Sequence, residues 1–489
     1  MDALMESIGE VNDVFWTYLV IPLLVLLGLY FTVRTAGVQF RMLPQMFRDL
    51  RGTPEQTKDG KKAVSSFQAF SISAAARIGT GNIVGVALAI SLGGPGAVFW
   101  MWVMAIIVSS LAFAESTLAQ LFKVRDRSGY RGGPAYYMQH GLNARWLGVI
   151  FAVVIIFTFG FSFNMVQANS IAEFVSTSVT TVTGAEEAPG WVAPVVGLAL
   201  VAVVGAVVFG GARRIAQVAQ LTVPFMALVY LIVGLVVVGM NLDKVPDVFA
   251  DIVSSAFGFE QIGGAAVGTA IMQGVRRGLF SNEAGMGSAP NAGASAAVSH
   301  PVKQGLAQSL GVYFDTLLVC SITAFIILVS DPDYGADDGG LLTQTALESH
   351  FGSWAVHLLT ILILLLAFTS VLGNTFYGEA NLRFLTGDDR VVPVFRAVVL
   401  GMLFLGAVSS LNLVWSFADV TMGVMAVVNL IAVAPLGALV MRLLKDYQQQ
   451  RREGLDPVFT RDKLPDVRGI QCWEKEREST DRAPAPEQA

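Results

Sequence analysis

The amino-acid sequence predicts an all-α polytopic membrane protein with eleven transmembrane helices. Of its 489 residues, 54% are hydrophobic and only 14% are charged, whereas charged residues make up about 25% of a typical soluble protein. Eleven apolar runs are long enough to cross a bilayer, because a hydrocarbon core of about 30 Å needs about 20 apolar residues per helix. Lysine and arginine also concentrate in alternate loops between these runs, which is typical of membrane topology.

The composition excludes several other classes of protein. A net charge of −5 gives no support for nucleic-acid binding. The two cysteines, Cys320 and Cys472, are too few for a disulfide framework or a zinc site. The four histidines form no metal-ligand motif, and the sequence contains no Gly-x-Ser-x-Gly nucleophile elbow. We therefore do not expect an enzyme.

The apolar runs define the predicted spans. They lie at residues 14–34, 66–92, 97–122, 146–175, 191–210, 216–240, 254–275, 304–329, 354–378, 392–410 and 414–441. The loops and span ends on one side carry 19 lysines and arginines, whereas the other side carries only Lys244. Because basic loops stay in the cytoplasm, this asymmetry predicts an outside N-terminus, a cytoplasmic C-terminus and a location in the cell (plasma or inner) membrane.

The spans divide the chain into four segments. Residues 1–65 hold an extracytoplasmic N-terminus, the first helix and a basic cytoplasmic loop, and residues 66–240 and 241–441 hold five spans each. Residues 442–489 form a cytoplasmic tail with ten basic and ten acidic residues. This composition predicts that the tail has no core of its own.

The second span contains a segment that does not suit a continuous lipid-facing helix. Residues 75–82 read Ala-Ala-Arg-Ile-Gly-Thr-Gly-Asn. Unwound backbone at membrane depth exposes N–H and C=O groups that can bind a ligand. Close helix packing through Gly81 and Gly85 is the alternative, but packing alone does not require Arg77 or Asn82. We therefore predict an unwound binding segment.

A second interruption by glycine lies five spans later, at residues 258–269. With the first span set aside, the other ten form two halves of five, and each half begins with a Gly-interrupted helix. Because five is odd, the two halves have opposite orientations in the membrane. This pattern is typical of an inverted-repeat secondary transporter with its site near the bilayer midplane.

Polar residues cluster in two otherwise apolar spans. The span 146–175 contains Asn164, Gln167 and Asn169, and the span 354–378 contains Thr369, Ser370 and Asn374. Each side chain could form an ordinary interhelical hydrogen bond, but the clustering favours a shared polar cavity. Ionisable side chains within or near the spans need partners, and we favour ion-pair roles for most of them. They are Arg77, Glu115, Asp315, Glu379 and Asp419.

Several long blocks of sequence resemble the alanine or glycine:cation symporters, the sodium:alanine symporter family. The resemblance extends over roughly residues 14–445. It is carried by Gly-Thr-Gly-Asn-Ile-Val-Gly-Val-Ala at 79–87, Gly-Gly-Pro-Gly-Ala-Val-Phe-Trp-Met-Trp at 93–102, Phe-Ala-Glu at 113–115, Arg-Gly-Gly-Pro-Ala-Tyr-Tyr at 131–137, Val-Gln-Ala-Asn at 166–169 and Arg-Gly-Leu-Phe-Ser-Asn-Glu-Ala-Gly-Met-Gly-Ser-Ala-Pro at 277–290.

This resemblance implies a leucine-transporter-type fold, in which an N-terminal helix precedes a five-plus-five inverted repeat with broken first helices. It also implies symport of small neutral amino acids, alanine or glycine, with Na⁺ as the co-transported ion. The implied partners are these amino acids, sodium ions and the lipid bilayer, and we expect a monomer. Coupling to protons through Glu115, Asp315 or Asp419 is the alternative.

Through the matching motifs, the resemblance also assigns the substrate site. The substrate carboxylate is expected to meet the free backbone N–H groups of Gly79, Thr80 and Gly81, since free N–H groups at the start of a half-helix stabilise an anion. Other side chains are expected to complete the pocket. These are Gln167, Thr269 and Gln273.

The same motifs imply a sodium site between the broken helix and the span 354–378. The backbone carbonyls of Ala75 and Ile78 are expected to join the hydroxyls of Thr369 and Ser370, because oxygen-only ligation suits a hard cation. Asn82 has two expected roles: it offers its amide oxygen to a second cation, or it holds the unwound segment.

Overall fold

The computed structural model describes residues 2–50, 64–126, 129–258, 264–332 and 339–474, and almost all of the regular structure in them is helical. The first twelve helices are α1 (Asp2–Phe15), α2 (Ile21–Arg34), α3 (Val38–Arg41), α4 (Leu43–Leu50), α5 (Ser66–Arg77), α6 (Val86–Gly93), α7 (Gly96–Leu121), α8 (Pro134–Gly141), α9 (Arg145–Ile155), α10 (Phe163–Thr183), α11 (Val192–Val208) and α12 (Ala212–Met240). The next nine are α13 (Val245–Phe257), α14 (Gly264–Asn282), α15 (Ala289–Ser295), α16 (Pro301–Val312), α17 (Ser321–Leu328), α18 (Leu342–Phe351), α19 (Trp354–Thr386), α20 (Val392–Ala407) and α21 (Leu411–Arg452).

Shorter elements connect or extend these helices. Four segments are π-helical: Trp16–Val20, Gly81–Gly85, Ile156–Ser162 and Tyr313–Cys320. Three are 3₁₀-helical: Gly339–Leu341, Asp389–Val391 and Arg461–Lys463. The strands β1 (Val124–Asp126) and β2 (Gly129–Arg131) pair antiparallel, with Val124 opposite Arg131.

Within the described residues, eight helices are long and apolar enough to cross a membrane. They are Gly9–Arg34, Gly96–Leu121, Arg145–Thr183, Arg214–Met240, Pro301–Leu328, Trp354–Thr386, Asp389–Ala407 and Leu411–Arg452. A ninth span results if the bent pair Ser66–Arg77 and Gly81–Gly93 crosses as one. The protein is therefore a polytopic helical membrane protein.

Two of the eleven predicted spans are not among these nine. The predicted span 191–210 corresponds to α11, an apolar helix of 17 residues. The predicted span 254–275 falls on the end of α13 and the start of α14, and residues 259–263 of its glycine-rich break lie outside the described residues. The count of eleven and the inverted repeat stay predictions.

The centre of the molecule forms around α5. This helix packs against α12, α16 and α19, and the Gly81–Gly85 segment that follows packs against α14 and Tyr313–Cys320. A small residue permits the approach of α19, since a Cβ at Gly373 of α19 would lie 2.8 Å from the Ala76 backbone nitrogen. Glycine at this position lets α19 lie directly on the broken helix.

The predicted tail begins as a continuation of α21 and then folds back. Ion pairs hold it along the helix, with Arg442 at 2.6 Å from Asp466 and Lys463 at 2.9 Å from Asp446. Apolar side chains of this segment are buried against the helices. They include Phe459, Leu464 and Cys472. The described part of the tail thus packs on the body of the protein.

Candidate functional site

The second predicted span is interrupted where the sequence predicts an unwound segment. Helix α5 starts at a capping box, in which Ser65 Oγ accepts from the Gln68 N–H at 3.1 Å. It ends at Arg77, and Ile78 adopts an extended conformation with φ −82° and ψ 91°. The helical segments on either side of the interruption are bent by 53°. The predicted break is therefore observed.

Side-chain amide oxygens accept hydrogen bonds from the backbone N–H groups that the interruption frees. In a continuous helix the Gly79 N–H would bond to the Ala75 carbonyl, but here it donates to Asn82 Oδ1 at 2.9 Å. The Thr80 N–H donates to Gln167 Oε1 at 3.2 Å. All of these groups are buried. The structure therefore brings four of the candidate site residues together, with two backbone N–H groups bonded to side-chain amide oxygens. They are Gly79, Thr80, Asn82 and Gln167.

Helix α19 closes the opposite side of the unwound segment through Ser370. Its hydroxyl donates to the Ile78 carbonyl at 3.3 Å and to the Leu366 carbonyl at 3.1 Å. The neighbouring Thr369 hydroxyl has other partners, since it donates to the Leu366 carbonyl at 2.9 Å and contacts Met226 Sδ at 3.7 Å. Of the two predicted hydroxyls, Ser370 reaches the break and Thr369 faces α12.

Asn82 links the break to a buried carboxylate on Tyr313–Cys320. Its Nδ2 donates to Asp315 Oδ1 at 2.6 Å and to Ser281 Oγ at 3.0 Å. Ser281 in turn donates to Asp315 Oδ2 at 2.7 Å, and Thr316 does so at 3.1 Å. Because the Asn82 oxygen accepts from Gly79, these contacts support the second of its two expected roles, which is to hold the unwound segment.

Three aromatic rings form a wall beside Gly81. Phe280 lies between Phe163 and Trp415, with ring centroids 4.3 Å and 4.6 Å apart. A Cβ at Gly81 would lie 2.8 Å from Phe280 Cδ1. All three rings are buried. Phe280 thus packs directly against Gly81, next to the predicted carboxylate site.

Comparison with known protein families identifies the family to which the chain belongs. The sequence profile of the sodium:alanine symporter family matches residues 1–461. The chain belongs to the sodium:alanine symporter family. The resemblance inferred from the motifs is therefore confirmed.

Relatives of this symporter match it over most of its length. The probable sodium/glutamine symporter GlnT of Bacillus subtilis is 50% identical over 484 residues, covering 98% of both chains. The sodium/alanine symporter AgcS of Methanococcus maripaludis is 36% identical over 458 residues, covering 92% of this chain and 98% of its own. A manganese transporter of Eremococcus coleocola shares the fold, with a TM-score of 0.53 at 14% identity over 83% of this chain and 84% of its own. This chain is thus a membrane transporter of the sodium/amino-acid symporter class.

Two predicted pocket residues of the symporter lie away from the break. Thr269 is exposed on the first half of α14. Gln273 lies near the end of α6: a Cβ built on Gly93 would be 3.2 Å from the Gln273 Cβ. The glycine-rich break that precedes them includes residues 259–263, outside the described part of the chain. Their assignment to the substrate pocket stays a prediction.

The other predicted polar residues form contacts between helices. Asn374 Nδ2 donates to Asn164 Oδ1 at 3.1 Å, and Asn169 Nδ2 donates to the Ser409 carbonyl at 2.6 Å. These contacts join α10 to α19 and to the loop before α21. They are the ordinary interhelical hydrogen bonds that the sequence analysis gave as one of two interpretations of these residues.

Most buried charges in this symporter have direct partners. Arg277 pairs with Asp419 at 2.6 Å, Arg396 pairs with Glu379 at 2.6 Å, and Glu115 accepts from Asn429 Nδ2 at 2.8 Å. Arg77 differs. Its Nη1 donates to the Gln308 carbonyl at 3.2 Å, and within the described residues no carboxylate lies within 4.0 Å of it.

The guanidinium of Arg77 acts on carboxylates at longer range. It interacts electrostatically with Asp315, Glu115 and Glu283, and its Nε and Nη2 atoms are buried without a hydrogen-bond partner among the described residues. Arg77 therefore places a positive charge beside the break that no single ion pair neutralises.

Two residues that the sequence does not assign to the substrate or sodium site contact Asn82 directly. The sequence presents Asp315 as a buried charge and a candidate proton carrier, and Ser281 only as part of a motif, yet both lie against Asn82. An ionisable residue inside a membrane span is by itself a signal of function. That signal pointed to Asp315 without indicating which helix it faces.

Proposed function

We propose that this protein couples the entry of Na⁺ to the uptake of alanine or glycine by alternating access. The observation that carries the proposal is the interrupted helix. There the Gly79 and Thr80 N–H groups donate to the side-chain oxygens of Asn82 and Gln167 instead of to helix carbonyls, and Ser370 Oγ donates to the Ile78 carbonyl. Unwound backbone of this kind provides both donors for an anion and acceptors for a cation at membrane depth.

In this proposal the substrate carboxylate displaces the two amide oxygens. The carboxylate accepts from the N–H groups of Gly79, Thr80 and Gly81. In the structure, the first two of these groups donate to Asn82 and Gln167. A carboxylate forms stronger, charge-assisted hydrogen bonds than a neutral amide does. Thr269 and Gln273 are proposed to complete the pocket.

Sodium is proposed to bind between α5 and α19. The Ile78 carbonyl and Ser370 Oγ already lie 3.3 Å apart, and the Ala75 carbonyl has lost the Gly79 donor that a continuous helix would supply. Thr369 would complete the set after rotation of its hydroxyl away from Met226. Sodium bound there holds the unwound segment in the form that receives the carboxylate, and coupling follows from that difference in affinity.

The size of the substrate side chain is limited by the aromatic wall of Phe163, Phe280 and Trp415. Such a wall rejects large side chains by overlap but separates alanine from glycine weakly, because one methylene contributes about 1–3 kcal/mol. Glutamine is a second candidate substrate, since the relative that is 50% identical over nearly the whole chain is named a probable sodium/glutamine symporter.

Uptake of radiolabelled alanine into proteoliposomes tests the proposal. We expect uptake that requires an inward sodium gradient and is inhibited by unlabelled glycine. Inhibition by glutamine with greater potency than by alanine would reassign the substrate. Ser370→Ala should raise the sodium concentration needed for half-maximal uptake. Thr375→Ala on the same helix is the matched control, because the Thr375 hydroxyl donates to the Val371 carbonyl of its own helix.

Coupling to protons is the alternative mechanism, and Asp315 is the carboxylate in direct contact with the break. Uptake that persists without sodium and follows an imposed pH gradient would contradict sodium coupling. If Asp315→Asn then abolished the response to the pH gradient, Asp315 would be the proton carrier.

A further inference from the structure

A second feature of the molecule is a cavity of about 400 Å³ that lies apart from the broken helix. The strands β1 and β2, helix α8, the start of α9 and the end of α19 form its walls, and Gln471 of the tail contributes to one side. Four arginines line it, and its described lining includes no carboxylate. They are Arg125, Arg131, Arg145 and Arg383.

The negative charges near this cavity stand at its edge and neutralise it only in part. Arg125 pairs with Glu474 at 3.0 Å and Arg383 pairs with Asp389 at 2.9 Å, and both of these acids are substantially exposed. The buried Glu379 also lies 3.7 Å from Arg383, but its shorter ion pair, at 2.6 Å, is with Arg396 outside the lining. Arg145 has neutral contacts, since its Nη1 donates to Gln139 at 3.1 Å and its guanidinium lies over the Phe384 ring. The lining therefore keeps an excess of positive charge.

Two buried polar atoms at the cavity have no partner among the described residues. One is the hydroxyl of Tyr136, a residue that is only 5% exposed and whose ring packs at 5.0 Å against Phe384. The other is Nε of Arg131. Because a buried donor without an acceptor is unfavourable, both atoms indicate that the cavity is built to receive an acceptor.

The position of the cavity limits which molecules could supply that acceptor. Its arginines belong to the segments 123–145 and 379–391, which the charge distribution predicts to be cytoplasmic. Trp146, next to Arg145 at the start of α9, is 66% exposed, as expected for an aromatic side chain at a membrane interface. Anionic phospholipid headgroups and free phosphate are both present on that side.

We propose that this cavity binds a phosphate-bearing anion, held by the guanidinium groups of Arg131, Arg145 and Arg383 and by the Tyr136 hydroxyl. The planar guanidinium donates two parallel hydrogen bonds to phosphate oxygens, and basic pockets between helices on the cytoplasmic side bind lipid headgroups. Burial, together with the nearby charge of Arg145, lowers the pKa of His140, so that its neutral ring can adapt to the anion as donor or acceptor.

Binding measurements on the full-length, purified protein test this proposal. One arm titrates short-chain phosphatidylglycerol against short-chain phosphatidylcholine, and the other titrates inorganic phosphate. Arg131→Gln with Arg145→Gln should weaken binding of the anionic probe at least about tenfold, because two charge-assisted contacts are lost. The matched control is Arg48→Gln with Arg461→Gln, which removes two exposed arginines that do not line the cavity.

A gentler variant keeps the test decisive if the double variant does not fold. Tyr136→Phe removes only the unpaired hydroxyl and preserves the ring contact with Phe384; it should weaken binding several-fold. Binding of phosphatidylglycerol that phosphate does not displace assigns a lipid headgroup, and displacement by phosphate assigns the free ion. Equal binding by the wild-type and cavity variants, or equal losses in the control, would overturn the proposal. Alanine uptake measured in parallel reports separately on the transport site.

Discussion

Around Gly79, the neighbouring Ser370 and Gln167 leave space for a hydrogen atom and not for a methyl group. A Cβ there would overlap Ser370 Oγ and lie 3.0 Å from Gln167 Oε1. We expect Gly79→Ala to push α19 and α10 away from the unwound segment, because a well-packed interior accommodates an added methyl only by shifting its neighbours. The rate of sodium-driven alanine uptake should fall at least about tenfold, equivalent to about 1.4 kcal/mol.

The same substitution at Gly401 of α20 provides the control. A Cβ at Gly401 meets no other atom within 4 Å, and alanine favours a helix more than glycine does. Gly401→Ala should therefore retain uptake and melt at the same temperature as the wild type or higher. Normal uptake by Gly79→Ala would show that α19 does not close on the break.

The residues around the break were largely predictable, whereas their neighbours across the molecule were not. Glycines, an asparagine and isolated hydroxyls stand out in apolar spans, which is how Gly79, Asn82 and Ser370 were identified. The sequence does not indicate how each helix is rotated. Successive residues of an α-helix point about 100° apart, and both hydroxyls of α19 are buried. Nothing in the sequence therefore shows that Thr369 faces α12 whereas Ser370 faces the break.

Among the helices, the broken second span was predicted in type and position, and others differ at their ends. Apolar content predicts a last span at 414–441, yet α21 runs from Leu411 to Arg452. The bilayer limits the apolar run, whereas the helix continues through Lys, Asp, Tyr and Gln residues that favour or tolerate helix. Hydropathy thus predicts which part of a helix crosses the membrane and does not predict where its hydrogen bonding stops.

Helices α19 and α20 are joined by a buried, two-pronged ion pair. Arg396 Nε and Nη2 lie 2.6 Å and 3.0 Å from the two oxygens of Glu379. Arg396→Gln would leave the buried Glu379 carboxylate without its main partner, which costs about 3–5 kcal/mol in comparable cases. We expect a clear drop in melting temperature in detergent.

An exposed ion pair serves as the control for this prediction. Arg442 and Asp466 form contacts of equal length, 2.6 Å, but both side chains are open to solvent. Arg442→Gln should lower the melting temperature much less than Arg396→Gln, because exposed pairs are screened by water. Equal effects of the two substitutions would mean that the Glu379 pair contributes no more than a surface contact.

Across the whole molecule, the balance of charges leads to a prediction of membrane topology, and it does not indicate how the tail packs. The tail has equal numbers of acidic and basic residues, so its composition does not reveal the few side chains that pack against the rest of the protein. Trp473 is one of these: its Nε1 donates to the Gln120 carbonyl at 3.1 Å, and Lys123 Nζ lies 4.2 Å from its ring centroid. Isolated aromatic contacts of this kind leave no periodic pattern, so composition alone indicated only a polar tail.

Asp49 of α4 contacts the last long helix, α21, and we expect it to make the stability of the whole protein dependent on pH. The Tyr447 hydroxyl of α21 donates to Asp49 Oδ2 at 2.8 Å. Burial raises the pKa of Asp49 to about 6, against the opposing effect of the Tyr447 hydrogen bond. The folded state therefore holds this proton more tightly than the unfolded state, whose carboxyl has its ordinary pKa of 3.8.

Stability should accordingly fall as the pH rises from about 4 to about 6 and then level off, because ionisation of the buried carboxyl opposes folding. The interval between 3.8 and about 6 corresponds to about 3 kcal/mol. Asp49→Asn removes this charge and keeps the shape, so it should melt at a higher temperature than the wild type at pH 7 and at nearly the same temperature at pH 4. Asp247→Asn, which changes an exposed carboxylate on α13, should show no such divergence between the two pH values. A lower melting temperature for Asp49→Asn than for the wild type at pH 7 would mean that the ionised carboxylate stabilises this contact, and that the two ends of the chain are held by its charge.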